Sequence, residues 1–181
     1  MKNCKYFKFS NFTLEFFGSF FLVFFAAGAV MANFTFESEI GPLMGGFSSG
    51  IILFLIIFAL GKYSRGHVNP GVSYMEYRMG YIKFNTFLVY SFFQILGSIA
   101  AGFSLKLIIG NVADVGSNLP LLKSEHNILI SFVTEFILSF LLASVIILVA
   151  YIQKLTLILL ALSVGLVVCV EVIVFGGLTG A

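Results

Sequence analysis

The sequence predicts an all-α membrane protein, and three observations predict it. Of the 181 residues, 60% are apolar and only 10% charged, giving a mean hydropathy of +1.08, beyond the range of an ordinary water-soluble domain. Apolar runs fall at roughly 12–33, 41–61, 85–109, 128–151 and 155–175, and each reaches the ~20 residues a bilayer-crossing helix needs. A stretch of the first run also matches a stretch of the fourth without a gap. The runs are helices rather than barrel strands, because strands would alternate polar and apolar residues over ~10-residue segments.

The first run follows Lys2, Lys5 and Lys8 and ends near Ala26-Ala27-Gly28-Ala29, which superficially resembles a secretory signal. Its length, the carboxylate of Glu15 within it and the spans that follow mark it instead as a membrane helix. The fourth run begins the repeat: Leu14-Glu15-Phe16-Phe17-Gly18-Ser19-Phe20-Phe21-Leu22 aligns with Thr134-Glu135-Phe136-Ile137-Leu138-Ser139-Phe140-Leu141-Leu142. An odd number of spans separates the two copies, so the second enters the membrane from the opposite side. Residues 1–109 form the first unit, a polar connector of about 110–127 follows, and 125–181 are a partial second unit within a single domain.

Charge placement orients the chain. With the N-terminus inside, Lys2, Lys5, Lys8, Lys62, Arg65, Arg78, Lys83 and Lys154 are cytoplasmic, and only Lys106 and Lys123 lie outside. Glu37, Glu39 and Asp114 then fall in outer loops. The net charge of +2 says nothing for nucleic acid, because the basic residues are spread along the chain with no basic stripe, and no nucleic-acid partner is expected. Cys4 and Cys169 fall in the cytoplasmic N-terminus and the fifth span, so two free thiols are expected rather than a disulfide.

Between the second and third runs lies Gly61-Lys62-Tyr63-Ser64-Arg65-Gly66-His67-Val68-Asn69-Pro70-Gly71-Val72-Ser73-Tyr74, too polar to span. Asn69-Pro70 is a helix start, since Asn caps free N–H groups and Pro is pre-set for the first helical position. About eight to ten residues fit before Gly80, half a membrane thickness at 1.5 Å per residue. A capped N-terminus at mid-membrane presents a positive dipole end that repels cations, while the Asn amide can donate to a passing oxygen. Read alone, Asn-Pro-Gly also fits a plain turn between spans.

Gly66-His67-Val68-Asn69-Pro70-Gly71-Val72-Ser73 resembles the G-H-x-N-P-A-V-T/S signature of the aquaporin, or major intrinsic protein, family. The likeness runs along the chain: Glu15-Phe16-Phe17-Gly18-Ser19-Phe20 resembles the family's E-F-x-G-T-F, Gln94-Ile95-Leu96-Gly97 its Q-x-x-G, and Gly176-Gly177-Leu178-Thr179-Gly180-Ala181 the run into its second N-P-A. The resemblance implies an inverted-repeat fold with one re-entrant half-helix present and with the second half-helix, its arginine and a sixth span outside these 181 residues.

It also implies roles. Asn69, Pro70 and Gly71 are the pore motif. Arg65, Gly66 and His67 offer backbone carbonyls along the pore wall, and Glu15 and Glu135 accept hydrogen bonds from non-helical loop backbone. Ser49, Val172 and Ala181 occupy three places of a selectivity constriction. Small or aliphatic residues there imply a wide pore, similar to the nodulin-26-like and related microbial members, passing glycerol or metalloid acids with water as a co-permeant. The full-length protein would be a homotetramer in the plasma (inner) membrane, without metal or cofactor. Gly71 and Arg65 depart from the pattern, where Ala and a small residue are usual, and Glu171 has no counterpart in the repeat.

The same residues admit other readings. His67 as a metal ligand lacks partners at ligand spacing, and Glu15 and Glu135 as a proton or ion relay is the sharper alternative to their loop-bracing role. An ion-coupled secondary transporter shares inverted repeats and broken helices. A membrane enzyme has no catalytic constellation here, and a non-conducting fragment of a channel is the third rival. The pairs Gly97 with Ala101 and Ser98 with Gly102 predict a close helix contact on the third span.

Overall fold

The computed structural model describes residues 9–36, 41–117, 119 and 125–179. The basic residues Lys2, Lys5, Lys8 and Lys123, together with Cys4, Glu37, Glu39, Gly180 and Ala181, lie outside the described residues. All regular structure within them is helical: α1 (Phe9–Thr35), α2 (Pro42–Leu60), α3 (Pro70–Arg78), α4 (Phe84–Ile108), α5 (Glu125–Ile146) and α6 (Leu157–Thr179). Five are long and apolar enough to cross a membrane, and α3 is the short exception.

Two helix pairs form the scaffold, α1 with α4 and α2 with α6. Each is closed by glycine. On α4, a Cβ at Gly97 would stand 2.2 Å from the Phe16 carbonyl oxygen of α1, and the neighbouring Ala101 is fully buried. On α2, Cβ atoms at Gly46 and Gly50 would meet the Cys169 and Gly165 carbonyls of α6 at 2.8 and 2.6 Å. Missing side chains let the backbones approach, which is how membrane helices gain dispersion without a hydrophobic drive. Cys169 is a buried free thiol in this seam. Ser98 and Gly102 behave differently: they line a cavity, and nothing lies within 4 Å of a Cβ at Gly102.

The core is small and central, with Leu53, Ile56, Ile57, Val68, Ile146, Ala161 and Val164 packed together. Outer faces carry bulk for lipid, including Phe17, Phe21 and Phe25 on α1 and Phe132, Phe136 and Phe140 on α5. Exposed apolar surface of this kind fits a bilayer and not water.

The connector and the end of α5 are irregular. The connector turns through Ala113–Gly116 with Ala113, Asp114 and Val115 all at positive φ, and Gly116 folds back so that a Cβ would meet the Ala27 carbonyl of α1 at 2.6 Å. Part of the linker is therefore pressed against the bundle. After α5, residues Ile147–Ile152 form a π-helix, one extra residue per turn that rotates the side chains beyond it.

Candidate functional site

Beyond Gly61 the chain stops being helical and returns into the protein. Arg65, Gly66 and Val68 have φ of 75°, 62° and 41°. For the β-branched Val68 this left-handed backbone is strained and persists only where its surroundings over-determine it.

α1 supplies those surroundings. The Glu15 carboxylate, fully buried, accepts from the His67 N–H at 3.1 Å and from the Val68 N–H at 2.7 Å. One turn on, the Ser19 hydroxyl donates to the Val68 carbonyl at 3.3 Å. Between them Gly18 makes room, since a Cβ there would stand 2.4 Å from Val68 Cγ1. Gln94 on α4 completes the shell by donating to Glu15 at 2.7 Å and to Ser73 at 3.0 Å. The His67 and Val68 N–H groups are thus met inside the protein, as a dry site demands, while His67 Nε2 is buried without a hydrogen-bond partner among the described residues.

Next comes Asn69, extended at φ −151° and ψ 127°, whose side-chain oxygen accepts from the N–H groups of Gly71 and Val72 at 2.7 and 3.3 Å. Pro70 opens α3, which runs nine residues to Arg78. Its C-terminus is closed by Gly80 at φ 75°, with Gly80 N–H donating to Tyr77 and Tyr81 N–H to Glu76, a Schellman turn.

A cavity of about 850 Å³ adjoins this start. Arg65, Gly66, His67, Asn69 and Pro70 line it, and so do Ser49 and Val172. Gly71 sits in the first turn with its N–H on the Asn69 cap. Glu135, Leu138 and Ser139 of α5, aligned with Glu15, Gly18 and Ser19, also face the cavity. Glu135 Oε1 and Glu171 Oε1 are buried and have no hydrogen-bond partner among the described residues. Eight of the eleven residues singled out for the site line this cavity; Glu15 and Gly71 stand behind it, bonded to His67 and Asn69, and Ala181 lies outside the described residues.

Three residues that sequence reasoning missed stand at one end of the cavity. Glu76, buried on α3, is ion-paired with Arg65. The Arg65 guanidinium lies 5.5 Å over the ring of Tyr81, and Tyr81 stacks on Tyr151 of the π-helix at 4.2 Å between centroids. The signal available was the pairing of one acid in a short helix with one base just before it. Burial pushes the Glu76 carboxyl above the usual carboxylate range, with Arg65 opposing. His67, between the spans, is held neutral mainly by burial and then by Arg65, at about 3. Its Nδ1 bonds Ser73 at 3.0 Å.

Five membrane-length helices, a re-entrant half-helix capped by asparagine and a cavity at that cap define a multi-pass membrane protein whose working centre lies inside the helix bundle. The description of the major intrinsic protein family matches residues 4–181, and the chain belongs to that family. It is 30% identical over 166 residues to aquaporin NIP3-1 of Oryza sativa subsp. japonica, covering 92% of this chain and 53% of that protein. Aquaporin NIP1-2 of Arabidopsis thaliana is 31% identical over 172 residues, covering 92% and 58%. An X-ray structure of the aquaglyceroporin from Plasmodium falciparum superposes with a TM-score of 0.81 at 25% identity, covering 94% of this chain and 74% of that one. The chain spans about half the length of the aquaporin relatives it matches.

Proposed function

We propose that this chain forms the wall of a passive transmembrane channel for small uncharged solutes, water, glycerol or metalloid acids among them. One observation carries the reading: the N-terminus of the nine-residue half-helix, capped by Asn69, opens on a cavity of about 850 Å³. The positive end of the helix repels cations, and the Asn69 amide nitrogen is left to donate to a permeant. Membership of a family that includes aquaporins and an aquaglyceroporin supports the same reading.

In this proposal Asn69, Pro70 and Gly71 are the pore motif and Arg65, Gly66 and His67 line the passage beside it. Ser49 and Val172, with Ala181, set the width at the other end. Glu15 braces the loop before the motif, and Glu135 has the same task in a second unit of 125–181 that inverts a first of 1–109. The N-terminus is cytoplasmic, the membrane is the plasma (inner) membrane, and the full-length protein is a homotetramer that does no chemistry on its permeant.

Stopped-flow light scattering on vesicles holding the full-length protein tests this. Glycerol flux that is independent of any ion gradient is expected, and flux that follows a proton or sodium gradient would replace the channel with a coupled transporter.

A further inference from the structure

Arg65 is the only Lys or Arg that lines the cavity among the described residues. It sits where α2 ends, where α3 and the π-helix finish, and where α6 begins. Three constraints fix it there: a left-handed backbone at φ 75°, the ion pair with Glu76, and the ring of Tyr81 beneath its guanidinium. Tyr81 is itself stacked on Tyr151, and Tyr151 and Ala150 line the cavity from the other wall. The two side chains of the pair differ in exposure, 47% for Arg65 against 4% for Glu76.

That asymmetry decides what the pair offers. The carboxylate is withdrawn into protein and cancels the charge, while Arg65 holds its fork half open to the cavity. A guanidinium has five N–H donors in a rigid plane, and the Glu76 bond occupies Nη1 alone. Of the remaining neighbours, His67 Nε2 stands 4.0 Å from the Glu76 oxygen, too far to take over its pairing. The mouth is therefore neutral in charge and rich in donors.

We propose that Arg65 and Glu76 form a second selection point of the passage, an electroneutral donor constriction that favours small neutral solutes with adjacent oxygens, polyols or uncharged oxyacids, and turns back ions of either sign. It lies in series with Ser49 and Val172 and rests on the channel reading above. Removing Glu76 leaves the Arg65 charge uncompensated in a low-dielectric cleft, where it concentrates anions.

The test uses Ala150→Cys, on the cavity wall, in the full-length protein cleared of its other reactive cysteines. Its labelling rates by anionic and cationic methanethiosulfonate reagents are compared. A ratio near that of free thiol is expected with the pair intact. Glu76→Gln shifts it about tenfold toward the anionic reagent, while Arg65→Gln shifts it less, toward the cationic one, because a buried carboxyl that loses its partner takes up a proton. The double variant returns it to the starting ratio, and an unchanged melting temperature in detergent shows that its fold survives. Arg65→Lys, which keeps charge but loses the fork, leaves the ratio unchanged and lowers glycerol flux relative to water several-fold. A ratio unaffected by both single changes overturns the proposal. Charge-dependent labelling without solute flux in any variant removes the channel reading alone, and solute flux with charge-blind labelling removes the constriction alone.

Discussion

Glu15 and Val68 are joined by a 2.7 Å hydrogen bond across 53 residues of sequence, carboxylate to backbone N–H. The bond holds a β-branched residue at φ 41°, a conformation it would leave if released. Glu15→Gln replaces one carboxylate oxygen with an NH₂ that faces either the His67 N–H or the Val68 N–H and the Gln94 amide. Each buried bond to a charged group contributes about 1.5–3 kcal/mol, so a loss of that order is expected in detergent unfolding, together with loss of solute flux. An unchanged melting temperature would show that the loop holds itself.

Gly50 makes a separable prediction about the seam between α2 and α6. Gly50→Ala drives a methyl against the Gly165 carbonyl and Cys169, and overpacking of this kind costs about 1–3 kcal/mol. Gly102→Ala, where a Cβ meets nothing, is expected to leave thermal stability in place. Equal effects of the two changes would show that the helices do not cross where they are seen to.

Ser49 and Val172 line the same cavity. Filling it from one side by Ser49→Phe should reduce glycerol flux at least several-fold while sparing water, because a three-carbon solute needs the width that a single file of water does not. Vesicle shrinkage under a glycerol gradient and under an impermeant osmolyte separates the two. Parallel loss of both fluxes would mean a blocked or misfolded channel.

Glu76 sets a pH dependence with a defined sign. Its carboxyl is raised by burial, against the pull of Arg65, so the folded protein binds a proton at a pH where the unfolded chain does not. Stability from this group then increases as pH falls from the raised value toward ~4.3, the ordinary value of an unfolded Glu. Subtracting the unfolding profile of Glu76→Gln from that of the parent isolates it. A difference that declines with acidification would contradict the assignment.

How much of this was legible depends on the range of the forces involved. The five spans follow from hydropathy, which is a local sum, and the start of α3 follows from Asn69 and Pro70, which act on the next three residues. The likeness between the stretches around Glu15 and Glu135 is itself a property of the sequence. The clamp on Val68 could not be derived from spacing alone, since it joins α1 to a loop whose backbone no propensity describes. Ser98 and Gly102 show the converse: spacing of small residues marks a groove but does not say whether a helix or empty space fills it. Glu76 gave no periodic signal, and the acid-and-base pattern it makes with Arg65 in the sequence becomes a contact only in space. The connector resisted prediction because Ala113, Asp114 and Val115 adopt a left-handed turn that their residue types disfavour.

The glycine seam has a mechanical consequence. Where Gly50 and Gly165 let two main chains touch, no side chain is present to yield, so those helices can rock about the crossing but cannot glide along it. Any widening of the interior must then be a tilt, largest at the membrane faces and least at the fulcrum, which leaves the ends of the passage and not its middle free to adjust.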